Sequence, residues 1–403
     1  MSTPKKTVAA LLLAALLLGG GWAARATHVL KVCPQGCAYA RIQDALDALE
    51  GEGFVFVRAG TYRENLRIDG KRGLTLIAHP GEAVTLEAGD AGAPGISILN
   101  SQGVTVQGLR VLGGARGLEA GDTLELNLLG NQFEDNAVQG VVLSGTRATL
   151  DGNLVLGTRR DREGNNGQGI VAFNSVVTIQ NSGVLDNAGF GVLATGSSTM
   201  LLTDNTMEGN GVLGIGVEAQ AQATIQRNLI DAQKPDAEGR FGRGIEVSSS
   251  GTVIVMDNFI TGNANAGLSA VAGAQLVALR NTISGTDGFG VLLAGTSQTS
   301  LAQNTISDNA RAGVALGQQA QVSLADNAIT GNGGPGVSVG FSDIAGEAVQ
   351  AELKGNRIQA NGGCAVAVDG DEAIAVAGER NRGEAQADTC DPAGKLGQGF
   401  WTR

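Results

Sequence analysis

Two carboxylates, Glu218 and Glu246, and five arginines, Arg159, Arg160, Arg162, Arg240 and Arg243, are the residues of this chain best suited to work on a long polyhydroxylated ligand. Two carboxyl groups flanking a glycosidic bond can serve as general acid and general base. A separation of roughly 6.5–9.5 Å leaves room for the water of an inverting hydrolysis. Guanidinium groups grip the carboxylate of an acidic sugar through two parallel bonds. Glu218 and Glu246 are therefore the catalytic candidates, and the five arginines the substrate-binding ones.

These residues are scattered in sequence, so a repeating scaffold must gather them. An Asn, once a Ser, recurs at 131, 153, 182, 205, 228, 258, 281, 304, 327, 356 and 381. The base step is 23 residues, with three longer steps that read as insertions. An apolar residue follows each of the first ten markers two places on, from Phe133 to Ile283, Ile306, Ile329 and Ile358. A second polar marker stands five places on, as at Asn187, Asn210, Asn309 and Asn332. Self-similarity at this period means stacked units. Inside each unit apolar residues alternate, the spacing of short strands, and no stretch keeps a helical period. A leucine-rich solenoid would need Leu-x-x-Leu-x-Leu, which is absent. The expectation is an all-β chain with three strands per coil, turns marked by Asn and Gly, and about 13 coils.

Two insertions break the repeat at one turn, Arg159–Gly164 and Lys234–Arg243, three coils or ~14 Å apart. Thr158 and Gln233 stand where the second Asn would be. In the strand after this turn, alternate residues point outward: Val142, Val171, Leu193, Gly216, Glu246, Ser269, Leu292, Ala315 and Ser338. Glu218 lies one step further along. Adjacent coils put it ~8 Å from Glu246.

The residues that carry a family resemblance are this repeat and the segment that precedes it. Tyr39-Ala40-Arg41-Ile42-Gln43-Asp44-Ala45-Leu46 is followed by Val55-Phe56-Val57-Arg58-Ala59-Gly60-Thr61-Tyr62-Arg63-Glu64-Asn65-Leu66, and then the coils run to about residue 381. With them the chain resembles the single-stranded right-handed parallel β-helix proteins of the pectin-lyase type. Its N-terminus is similar to those of nitrous-oxide-reductase maturation proteins and pectin methylesterases. The resemblance implies a short helix capping the first coil. Ile42, Ala45, Leu46 and Leu49 indeed form one apolar stripe. It also implies a saccharide groove beside loops at such a turn. The catalytic sets of these families are incomplete here. No His lies in the coils, so the Gly-His-Gly of polygalacturonases is missing. The Asp-Pro-His-Asp of alginate epimerases is missing too, and pectin methylesterases share only Gly60–Glu64. Copper delivery, as in the maturation proteins, needs Met, His or free Cys ligands, of which the chain has few: 4 Met, 2 His and 4 Cys. No cofactor is called for and no metal site is assigned; calcium is the one ion the loop carboxylates would suit.

Lys5 and Lys6, an apolar run from Val8 to Leu18 and Ala24-Arg25-Ala26 form a secretory signal over 1–26. The run is too short for a comfortable membrane span. The expected product is secreted or periplasmic and does not span a membrane. A net charge of -11 argues against nucleic acid as a partner. Disulfides suit that compartment. The economical pairing is Cys33–Cys37 and Cys364–Cys390, against a rival metal site with no His nearby. A cap over 27–53, the β-helix over 54–382 and a C-terminal cap over 383–403, with Phe400 and Trp401 closing the last coil, complete the organisation. The function expected is binding of a polysaccharide or cell-surface glycan, with cleavage in one version, in a groove flanked by the 158–168 and 234–243 loops. The alternative is a non-catalytic structural, adhesive or surface β-helix.

Overall fold

The computed structural model describes residues 28–236, 239–317, 319–340, 348–369, 374–383, 389–391, 396 and 400–401. The targeting segment read over 1–26 lies outside them. The chain winds through three parallel sheets of 15, 14 and 14 strands, with successive strands of one sheet coming from successive coils. The coil around residue 131 shows the order: Leu126–Leu129 in the first sheet, Gln132–Glu134 in the second, Gln139–Ser144 in the third. The count exceeds the expected 13 coils, which allowed for two before the first marker where the first sheet has four strands, from His28–Val32 to Thr105–Gln107. The first strand of the first sheet, His28–Val32, and the coils before Asn131 contribute strands without that marker. At ~4.8 Å per strand the cylinder is about 65–70 Å long.

The core follows from the alternation. Ile260, Ile283, Ile306, Ile329 and Ile358 pair in register in the second sheet and are fully buried. Ile306→Val removes one methylene from this column and is expected to cost about 0.5–1.5 kcal/mol in thermal unfolding. A loss below that range would mean that the column repacks around the gap.

The Asn markers form a buried ladder at the tight turn between the first and second sheets. The Asn281 backbone N–H and its Nδ2 both donate to Asn304 Oδ1, at 2.9 and 3.0 Å. Asn281 Nδ2 also donates back to Val255 O at 2.9 Å. The pattern recurs at Asn205, Asn228, Asn258, Asn304, Asn327 and Asn356. It satisfies backbone groups that the turn would otherwise leave buried and unpaired. Outside the ladder, Asp204 and Arg227, then Asp257 and Arg280, occupy the preceding left-handed turn position with φ of 53–57°. Their carboxylates and guanidiniums pair in twos. Hydrogen bonds from Arg227 hold the Asp204 carboxyl below its ordinary pKa, and those from Arg280 do the same for Asp257.

Both ends are closed. At the N-terminal end the helix Ile42–Ala48 buries Ile42, Ala45 and Leu46 over the first coil. The buried Glu64 carboxylate accepts from the Ile42 and Gln43 N–H groups at 2.8 and 3.0 Å, satisfying two donors of the first turn. Glu64 of the Gly60–Glu64 motif is thus a helix anchor. At the other end Phe400 packs into the core at 2% exposure with Trp401 against it, ring centroids 5.0 Å apart. Cys33 is bonded to Cys37 and Cys364 to Cys390, with Cα atoms 5.5 and 5.7 Å apart.

Candidate functional site

Both inserted loops lie at the turn from the second sheet to the third. One follows Leu154–Leu156 and the other follows Leu229–Asp231. The strands Gly183–Leu185 and Thr206–Glu208 lie between, so three coils separate the loops as the spacing implied. The structure adds that the loops are built alike. Asp161 Oδ1 accepts from the Asn165 N–H at 2.7 Å, and Asp236 Oδ1 accepts from the Arg240 N–H at 2.7 Å. Gly164 and Gly239 follow at φ of 81° and 75°, a left-handed geometry that favours glycine. The signal stands in the sequence: Asp161-Arg162-Glu163-Gly164 matches Asp236-Ala237-Glu238-Gly239. At the first insertion the buried Asn136 amide and Thr158 hydroxyl have no hydrogen-bond partner among the described residues, whereas the second leaves the second polar column intact. Gln233 continues it, its Oε1 accepting from the Asn210 N–H at 3.1 Å and its Nε2 donating to Met207 O at 2.8 Å.

The outward row of the third sheet is in register from Glu119 through Val142, Val171, Leu193, Gly216 and Glu246 to Ser269 and Leu292. Glu246 lies opposite Gly216. Glu218 stands just past the end of its strand Leu213–Val217, its N–H bonded to Ala194 O at 3.0 Å. The two glutamates are thus on adjacent coils. Their surroundings differ from a shared cleft. Glu246 is ion-paired with Arg243, and the two side chains are only 15% and 19% exposed. Burial lowers the pKa of the Arg243 guanidinium from its ordinary value.

The arginines divide between the loops. Arg240 Nε donates to Asp236 Oδ2 at 3.0 Å, and its guanidinium lies 5.8 Å from the Phe241 ring centre; that of Arg243 lies 6.0 Å away. Arg159 Nη2 donates to Asp135 O at 3.0 Å and Arg160 Nε to Ala188 O at 3.1 Å, while Arg162 is exposed. The structure therefore gathers Arg240, Arg243 and Glu246 around Phe241, and keeps Arg159, Arg160 and Arg162 together on the other loop. Between them the face is filled by its own side chains. A Cβ on Gly216 would meet Leu193 Cδ1 at 3.2 Å and Leu213 Cδ1 at 3.3 Å. Further along, Phe289 packs on Ala312, Ala315 and Leu292 with Arg311 4.5 Å above its ring.

Among the described residues no three His, Cys, Asp or Glu side chains converge to hold a metal ion. Copper ligands are dispersed as well. Met200 and Met207 are buried in the core, the four cysteines are in disulfides, and His79 Nδ1 lies 3.2 Å from Glu82. No described helix is long and apolar enough to cross a membrane. The sequence reading passed over a groove of about 1060 Å³ on the first sheet, crossed by Gln275, Gln298, Gln321 and Gln350. Its signal was a Gln at the 23-residue step from 275 to 321.

Residues 158–283 match the family described as right handed beta helix region, and residues 236–362 match that described as periplasmic copper-binding protein (NosD). No curated protein sequence matches the chain. Among solved structures, a mutant of the periplasmic alginate epimerase AlgG is 14% identical with a TM-score of 0.57, over 83% of this chain and 84% of that one. The Azotobacter vinelandii mannuronan C-5 epimerase AlgE6 A-module is 17% identical, with a TM-score of 0.52 over 90% and 94%. PfbA, a surface adhesin of Streptococcus pneumoniae, is 11% identical, with a TM-score of 0.52 over 82% and 89%. With its three parallel sheets, its polar ladders and these likenesses, the chain is a right-handed parallel β-helix repeat protein of the pectin-lyase-like fold.

Proposed function

We propose that this protein is an exported β-helix that binds an acidic polysaccharide across the two like-built loops and does not cleave it. Arg159, Arg160 and Arg162 from one loop and Arg240 from the other make the contacts. The observation that carries the reading is the Arg243–Glu246 ion pair. Acid–base cleavage needs one carboxyl group to give a proton and another to take one. Glu246 is instead engaged by the largely covered Arg243 guanidinium on its own strand and is not presented to a sugar, so Glu218 is left without a partner for the reaction. Two equivalent loops three coils apart suit a long polymer that touches both, since linking two weak contacts raises the overall affinity. The neighbours named as alginate epimerases and as an adhesin support a glycan-facing role, and the match described as periplasmic supports export.

Arg159→Ala, Arg160→Ala and Arg162→Ala together are expected to weaken binding of alginate or polygalacturonate by about tenfold or more at low salt. Affinity electrophoresis reads this directly. Unchanged mobility of the triple variant would remove the loops from the site. Reducing ends or unsaturated products that appear with the wild type and vanish in Glu246→Gln would restore the catalytic version, with Glu218 and Glu246 as its acid–base pair.

A further inference from the structure

The first sheet carries a second surface, independent of the loops. Its outward row Thr252, Gln275, Gln298, Gln321 and Gln350 is held in register by four successive strand pairings. The four glutamines are exposed, and their side-chain amides make no hydrogen bond among the described residues. They stand at successive coils, ~4.8 Å apart. Beside them runs a second outward row that changes from Ile254 and Val277 to Ser300 and Ser323. The open groove over these rows spans six strands and has a volume of about 1060 Å³.

We propose that this groove binds an uncharged polysaccharide lying along the axis of the β-helix. Each glutamine amide offers two donor hydrogens and an acceptor oxygen, the complement of a hydroxyl group, which both gives and takes. Four such amides at a constant rise meet a polymer that repeats its hydroxyls at a constant rise. Ile254 and Val277 supply an apolar floor for the C–H faces of sugar rings. The charge pattern selects the occupant. From Thr252 to Ser323 neither row carries a charged side chain, and Glu352 at one end is the first. An anionic polymer would find no cation in the groove, whereas a neutral one loses nothing there.

The test is affinity electrophoresis of the full chain in gels containing a soluble neutral glucan, xylan or galactomannan, with alginate as the acidic control. The wild type is expected to be retarded by at least one neutral polymer. Gln298→Ala with Gln321→Ala should weaken that retardation about tenfold or more, the loss of two or so hydrogen bonds. Both side chains are exposed, so the melting temperature of this variant should stay at the wild-type value. The triple arginine variant should keep neutral binding in full, which separates this groove from the loop site. No retardation by any of the neutral polymers, or equal retardation of wild type and the double glutamine variant, overturns the proposal. So does a wild-type dimer in sedimentation that the double glutamine variant abolishes, which would assign the face to a second copy of the chain.

Discussion

Asn304→Ala is expected to lower the stability of the central coils by about 3–5 kcal/mol. Asn304 is 1% exposed and takes part in every bond of its rung. Its loss strands the Asn281 backbone N–H and one hydrogen of the Asn281 amide, which shared Oδ1 at 2.9 and 3.0 Å. Ala278 O loses the second bond, which it accepted from Asn304 Nδ2 at 2.9 Å. A buried polar group left unpaired costs about 1–3 kcal/mol. Because each coil touches only its neighbours, the damage should be local. Hydrogen exchange should accelerate at Asn281 and its adjoining strands and stay unchanged at Ile96–Leu99. Unaltered exchange at Asn281 would mean that the ladder only decorates a stack held by its apolar columns.

Phe400→Ala is expected to cost about 3–5 kcal/mol at the C-terminal end. The ring is 2% exposed and fills the space over Gly378, where even a Cβ would come within 2.4 Å of Phe400 Cε2. Asn381, the last rung, donates its Nδ2 to Phe400 O at 3.2 Å, so the segment also completes the ladder. Without the ring the last coil exposes core and open strand edges, which pair readily with other chains. The readouts are a lowered melting temperature and concentration-dependent association in sedimentation. A monomer of wild-type melting temperature would show that the Cys364–Cys390 disulfide closes the end unaided.

The repeat was legible because one physical demand recurs at every coil. A tight turn with buried backbone groups needs a short polar side chain that accepts a hydrogen bond, so Asn, and once Ser, stands at each step. The column behind it must be apolar, so Ile283, Ile306 and Ile329 do too. The pairing of Arg243 with Glu246 was not legible. Strict alternation places residues three apart on opposite faces. Here Gly244 and Ile245 are both buried in succession, and the alternation resets at the glycine. Arg116 and Glu119 meet at 3.1 Å in the same way beside Gly117. Gln233 was read as an interruption because its longer side chain hid its equivalence to Asn. The glutamine row of the first sheet was in plain sight, but periodic polar residues on a strand read as solvated surface until the groove over them is seen.

The closed ends and the coil-by-coil hydrogen bonding have a mechanical consequence. The bonds between coils run along the axis of the cylinder, and the first and last described strands lie at its opposite ends. Tension between an anchored terminus and a load on the other therefore does not shear three sheets at once. It peels the terminal coil, one rung at a time, and each freed coil of 23 residues pays out roughly 75–80 Å of slack. The Cys364–Cys390 link and the Phe400 plug sit where peeling from one end would begin. They act as a stitch at the hem, and the rod keeps its length under pull for as long as they hold.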